Sequence, residues 1–262
     1  MDDENDYYSN RLLIFANPEK ARGRPSGKHP GLPHWPYRLL LCGSPGCGKR
    51  SQLLNLIMRH DPVPSAFHIV HADPDTIEYD CLKDLGSPIY FYTSDDLPTA
   101  QNIRGETPGG DREVHPTPVT EETIGGRDES EAPLVIIDEV TSDMIRGDNK
   151  VRIERLMNYL SSHFNTSVAI CSQSIVNLPP KVRRAFSHFV LYKQPSDDAN
   201  SLAASRSGIP LACLKELFEL CRSRHDSIMV DSTRNPEDRL RFRLNLFEPI
   251  EPIAAVASGN FD

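Results

Sequence analysis

Three short stretches hold the residues best suited to chemistry. The first is GSPGCGKRS, residues 43–51, which follows the apolar run YRLLLC. It matches the phosphate-loop pattern G-x-x-x-x-G-K-[ST] up to the last position, where Arg50 stands and Ser51 comes one residue late. Between a strand and a helix, the glycines of such a loop let backbone N–H groups converge on phosphate oxygens. The lysine reaches the outer phosphates, and the helix N-terminus adds its positive dipole. Gly43, Gly46, Gly48 and Lys49 suit those roles; Ser44, Pro45 and Cys47 complete the loop, and Arg50 and Ser51 open the helix. The last hydroxyl of the pattern normally faces a magnesium ion, and Ser51 lies about 100° further round the helix.

The second stretch is LVIIDE, residues 134–139. An apolar strand ending in Asp-Glu places one carboxylate, Asp138, for a magnesium shell and a second, Glu139, to orient and polarise an attacking water. A buried strand followed by an acidic cap reads the same way in isolation; the loop upstream favours the catalytic reading. The third is TSVAICS, residues 166–172, the next strand, which is followed at once by Gln173. Phosphoryl transfer also calls for an arginine, often from a neighbouring subunit. Arg155, Arg183 and Arg184 are candidates, the last two in LPPKVRRAF, although exposed basic helix faces look alike in sequence. The histidines show no H-E-x-x-H spacing and there is no G-x-S-x-G elbow, which argues against those two hydrolase chemistries.

Elements must hold these groups together. Short apolar runs alternate with helical stretches from residue 37 onward, the pattern of a parallel sheet with crossover helices. Strands are expected at 37–42, 66–71, 88–93, 133–138, 166–172 and 187–192, with two more near 227–230 and 240–246. Helices are expected at 49–60, at 149–163 with Val151, Ile153, Leu156, Met157 and Leu160 on one face, and at 211–222 after the Gly208-Ile209-Pro210 turn. Residues 1–35 read as a flexible arm, residues 36–250 as one α/β domain and residues 251–262 as a tail. The acidic, aperiodic segment of about 97–132 reads as a disordered insertion between two strands.

Composition sets outer bounds. The chain has 262 residues, a 38% hydrophobic fraction and 22 prolines, which suits one core with sizeable unpacked stretches. Six cysteines form no C-x-x-C pair, which points to a reducing, intracellular setting without structural zinc. No apolar stretch is long enough for a membrane span, and the N-terminus MDDENDYYSN is acidic where a signal peptide is basic. A net charge of -8 argues at first against nucleic acid. Between residues 95 and 131, however, ten acidic residues face three arginines, so the rest of the chain is near neutral.

The order GSPGCGK, LVIIDE, AICSQSIVNLPPKVRRAF and HFVLYK resembles the viral genome-packaging ATPases of the FtsK/HerA superfamily, the group of the poxvirus-type enzymes and their small polinton, adintovirus and virophage relatives. HIVHADPDTIEYD and HDSIMVDSTRNPEDRLRFRLNLFEPI extend the resemblance over about residues 37–250. It implies a P-loop NTPase fold with a mostly parallel sheet and an extra strand between the loop strand and the Asp-Glu strand. The implied activity is ATP hydrolysis driving double-stranded DNA into a capsid, in a homo-oligomeric ring with sites at subunit interfaces. ATP and Mg2+ are the implied cofactors, with Asp138 and Ser51 toward the metal and Gln173 sensing the γ-phosphate. DNA and capsid or portal-vertex proteins are the implied partners, in the host nucleus, a cytoplasmic virus factory or the virion. Two alternatives stay open: a nucleotide kinase, whose G-x-P-G-x-G-K-G-T-Q loop is similar to GSPGCGKRSQ, and a nucleotide-binding scaffold without hydrolysis.

Overall fold

The computed structural model describes residues 30–60, 62–105, 112–114, 132–141 and 144–250. The expected arm up to residue 29, most of the acidic insertion and the tail from 251 lie outside the described residues.

Among the described residues ten strands form one sheet: β1 (Arg38–Cys42), β2 (Phe67–Val70), β3 (Ile89–Tyr92), β4 (Arg112–Val114), β5 (Leu134–Asp138), β6 (Ser167–Ser172), β7 (His188–Leu191), β8 (Ile228–Asp231), β9 (Phe242–Leu244) and β10 (Glu248–Pro249). Their spatial order is β10-β9-β8-β7-β1-β6-β5-β2-β3-β4. The six strands from β7 to β3 run parallel, and antiparallel strands finish both edges. Continuous apolar runs such as RLLLC and LVIID match this placement, because a central parallel strand is buried on both faces.

Among the described residues seven α-helices accompany the sheet: α1 (Lys49–Met58), α2 (Ala100–Ile103), α3 (Gly147–Arg155), α4 (Ser161–His163), α5 (Pro180–Arg183), α6 (Asp197–Ser207) and α7 (Leu211–Phe218). Alternate residues of β1 sort into two cores. Leu39 and Leu41 pack with α1 through Leu53, Leu54, Leu56 and Ile57, while Leu40 and Cys42 share a core with α3, α5, α6 and α7. The chain is therefore a three-layer sandwich with the sheet in the middle. Among the described residues no helix is long and apolar enough to cross a membrane.

Most expected elements stand where the periodicity puts them. Three differ. The helix of residues 149–163 contains a π-helical turn over Leu156–Leu160 and buries Ile153, Leu156, Met157 and Leu160, but Val151 is 62% exposed. At 100° per residue Val151 stands about 200° from Ile153, so the two cannot share a face. Part of the segment expected to be structureless is built: Thr99 caps α2 through a capping box with Asn102, Leu97 and Ile103 are buried, and β4 pairs with β3. α6, with Ser196 as its N-cap, has too weak an apolar period to show in sequence.

Candidate functional site

Sheet register brings the three stretches to one edge. β1 lies beside β6 with Cys42 opposite Ser172, and β6 beside β5 with Cys171 opposite Asp138. The residues just past those pairs, Gly43, Gln173 and Glu139, therefore line up at the carboxyl ends of three neighbouring strands. That edge is where ligands bind in open parallel sheets.

The loop after β1 has a geometry suited to an anion. Gly43 is pressed so close that a Cβ there would meet Cys47 Sγ and Tyr192 Cβ at 2.7 Å. Gly48 forms the N-cap of α1 at φ 103°, a conformation open to glycine. Gly48 has no side chain to cap α1, and no acidic residue sits in its first turn to compete with an anion for the helix N-terminus. Lys49 Nζ donates to the carbonyls of Gly43 and Ser44 at 2.7 and 3.0 Å, folded back over the loop. Ser44, Pro45 and Gly46 are exposed and Cys47 is buried, its thiol pushed up by burial.

A phosphate loop on β1, an Asp-Glu strand one place removed and β6 inserted between them complete the pattern. This is the P-loop NTPase fold. No family model and no curated protein matches the chain. Solved structures do. The genome packaging NTPase B204 from Sulfolobus turreted icosahedral virus 2, in complex with AMPPCP, is similar over 82% of this chain and 98% of that one, at 12% identity and a TM-score of 0.47. The cytoplasmic domain of the Thermomonospora curvata type VII secretion ATPase EccC is similar over 86% of this chain and 26% of that one, at 12% identity and a TM-score of 0.45. The N-terminal domain of zonular occludens toxin from Neisseria meningitidis is similar over 62% of this chain and 79% of that one, at 15% identity and a TM-score of 0.34.

Glu139 and Gln173 meet directly: the Gln173 amide donates to the Glu139 carboxylate. Both side chains are exposed at the sheet edge, where a water and a phosphate can reach them. Glu139 is held at φ 72°, a left-handed conformation that costs a residue with a Cβ roughly 1–2 kcal/mol. Gln194, just after β7, was not foreseen. In the amide orientation that satisfies both of its ends, it accepts from Gly43 N–H and donates to the Gln173 carbonyl, each at 3.2 Å. It thereby ties the loop to the strand end beside it. A cleft of about 470 Å³ opens there, lined by Ser44, Pro45, Gln173, Gln194 and Asp198 among others.

Asp138 and Arg50 form the other half of the site. Asp138 is 8% exposed, and its Oδ2 accepts from Arg50 Nε at 2.7 Å and from the buried Tyr79 hydroxyl at 2.8 Å. Arg50 Nη2 stands 2.7 Å from the same oxygen, and Arg50 Nη1 pairs with Glu78. β2 lies beside β5 with Val70 opposite Ile137, which brings His71 level with Asp138. His71 Nε2 is 3.4 Å from Arg50 Nη2. Burial works against the Arg50 charge, yet Asp138 and Tyr79 outweigh it and hold the guanidinium firmly protonated. Burial, then Asp138, pushes the Tyr79 phenol up, so it remains a donor.

This donor set does not fit a magnesium ion held in the way the motifs imply. The helix position that should offer a hydroxyl carries Arg50, Ser51 is exposed on the next position, and Asp138 Oδ2 is already engaged by two donors. His71, Glu78 and Asp138 each offer an atom, all within 4.8 Å of one another, but the Arg50 guanidinium contacts all three. Sequence reading passed over His71, Glu78 and Tyr79. The available signals were the position of His71, directly after a strand of a parallel sheet, and the presence of all three in HIVHADPDTIEYD.

The three arginines sit elsewhere. Arg155 ends α3 with its guanidinium over the Tyr159 ring at 5.5 Å, and Arg183 and Arg184 end α5. Among the described residues none of them bonds to the loop, Asp138, Glu139 or Gln173.

Proposed function

We propose that this chain is an ATP-hydrolysing motor that moves double-stranded DNA, packaging a viral genome into a capsid. The contact between Gln173 and Glu139, beside an uncapped phosphate-loop helix, is the observation that carries the ATPase reading. In the reaction, Lys49 leaves the loop carbonyls for the β- and γ-phosphates. Glu139 takes a proton as water attacks the γ-phosphorus, the bond to the β-phosphate oxygen breaks, and ADP leaves with that electron pair. Gln173, anchored to Glu139 before the reaction, registers whether the γ-phosphate is present and releases or reorients the carboxylate accordingly. Such positioning and electrostatic stabilisation are the main levers an enzyme has in phosphoryl transfer.

Translocation rests on the motif resemblance and on two features of the site edge. Ile77 and Val176 are 78% and 51% exposed and lie within three residues of Glu78 and Gln173. Apolar side chains this close to an open site suit a ring whose subunits meet there. Arg183 or Arg184 of one subunit would then face the nucleotide of the next, the trans-acting arginine that the reaction calls for. DNA would be held through its phosphates, so its affinity falls with salt. Measuring ATPase activity with and without duplex DNA at low salt tests the proposal. Stimulation by DNA, and loss of turnover with retained ATP and DNA binding in Glu139→Gln, is the expected result. Transfer of phosphate to a nucleoside monophosphate, or hydrolysis indifferent to DNA, would overturn it.

A further inference from the structure

The mismatch between Arg50 and the usual hydroxyl has a specific consequence. We propose that the Arg50 guanidinium itself supplies the positive charge beside the β- and γ-phosphates, so that this chain binds ATP without a divalent cation. The inference rests on the nucleotide-binding reading above.

Arg50 is the second residue of α1, directly after Lys49, on the turn that opens toward the phosphates. Its guanidinium is anchored from behind. Nε and Nη2 sit on the buried Asp138 carboxylate, and Tyr79 fixes that carboxylate from the other side. The ring face of Tyr79 also stands 5.7 Å from the guanidinium carbon. Asp138 Oδ2 here holds the arginine, and with Arg50 Nε, Arg50 Nη2 and the Tyr79 hydroxyl all on it that oxygen has no room for a metal as well.

The remaining nitrogen, Nη1, has a partner that can be exchanged. Glu78 comes from the loop after β2 and its side chain is 47% exposed, against 7% for Asp138. A triphosphate entering over the loop offers Nη1 several anionic oxygens in place of one solvated carboxylate. A planar fork suits a two-sided contact of this kind, carboxylate on one edge and phosphate on the other. Glu78 would then swing into water, and its charge would compete with nucleotide in the free protein.

Equilibrium binding of a fluorescent, non-hydrolysable ATP analogue to the full chain, with excess EDTA or with magnesium, tests this. For the wild type the two dissociation constants should agree within about threefold. Arg50→Thr, which restores the hydroxyl of the common pattern, should bind about tenfold more weakly in EDTA and regain affinity with magnesium. Glu78→Gln should bind severalfold more tightly than the wild type in EDTA. Thermal unfolding of each variant shows whether the fold is retained. Wild-type binding that appears only with magnesium would overturn this inference and leave the ATP reading standing. Absence of binding in both buffers would overturn both, and weaker binding by Glu78→Gln would remove the proposed exchange.

Discussion

Two Arg–Asp clusters sit at opposite edges of the same sheet. At the amino end of β7, Asp231 accepts from Thr233 N–H and Oγ1 at 3.1 and 2.5 Å and from Arg234 Nε at 2.8 Å, with His188 Nε2 at 3.2 Å. It is 2% exposed. Burial alone would raise its carboxyl, but the neighbouring His188 and Thr233 outweigh that and hold it well below the usual carboxylate range. Arg234 goes on to Asp238 and to the Pro30 carbonyl, so the cluster knits loop, sheet and the start of the described chain together. Asp138 has the same chemistry at the other edge, yet the Arg50 it binds is about one-third exposed and leans on an open Glu78. Exposure, more than partner type, separates a strut from a site. A closed pair gives up stability when broken, whereas a half-open pair has a nitrogen to spare for a ligand.

The contrast can be broken first at Asp231. Asp231→Ala leaves Arg234 Nε and both Thr233 donors without their acceptor in a buried cluster and should cost about 3–5 kcal/mol in urea unfolding. The same change at Asp138 should cost about 1–2 kcal/mol, chiefly one buried Tyr79 hydroxyl left without its acceptor. Equal losses at the two positions would erase the distinction between strut and site.

A second probe uses pH along one stretch of chain. His68 lies within β2, buried against the Tyr92 hydroxyl at 3.0 Å, while His71 just past its end faces Arg50. Burial pushes His68 down to about 4. The unfolded chain therefore binds the extra proton between about pH 6.5 and 4, and stability falls as pH is lowered through that window. This component amounts to at most about 3 kcal/mol. His188 is lowered by burial in the same direction. The depressed Asp231 carboxyl acts in a separate window, its contribution being lost only below the ordinary aspartate range. His68→Gln, which keeps a polar partner for Tyr92, should flatten the decline between pH 6.5 and 4. An unchanged pH profile of the unfolding midpoint would show that His68 is not its source.

The smallest effect separates stability from function at the open edge. Glu139→Gly relieves the left-handed backbone and should raise unfolding free energy by about 0.5–1 kcal/mol. It should also abolish ATP hydrolysis. A destabilised variant would mean that the conformation at Glu139 is not strained.

Much of this was legible beforehand. The apolar runs around Leu39, Ile69, Ile136, Ala169 and Phe189 announced central strands, since a parallel strand covered on both faces has little choice of residue type. GSPGCGK and LVIIDE stand out as candidate site stretches because glycine, lysine and a strand-end Asp-Glu do distinctive work at short range, and the register places them at neighbouring strand ends. α6 and the built part of the acidic segment were not legible. α6 mixes alanine with polar residues, and α2 depends on a local capping box and two buried apolar side chains in an otherwise charged stretch.

The loop pattern, the Asp-Glu strand end, Gln173 and the departure at Arg50 are all written within a few consecutive residues and can be read without a fold. Tertiary structure alone decided what that departure does. Arg50, Glu78, Tyr79 and Asp138 are separated by up to 88 positions in the chain and meet because β2 and β5 are neighbours in register. Local spacing cannot encode which strands pair, so a guanidinium that looks like a defect in the motif became, in the folded chain, the cation that Asp138 is built to hold.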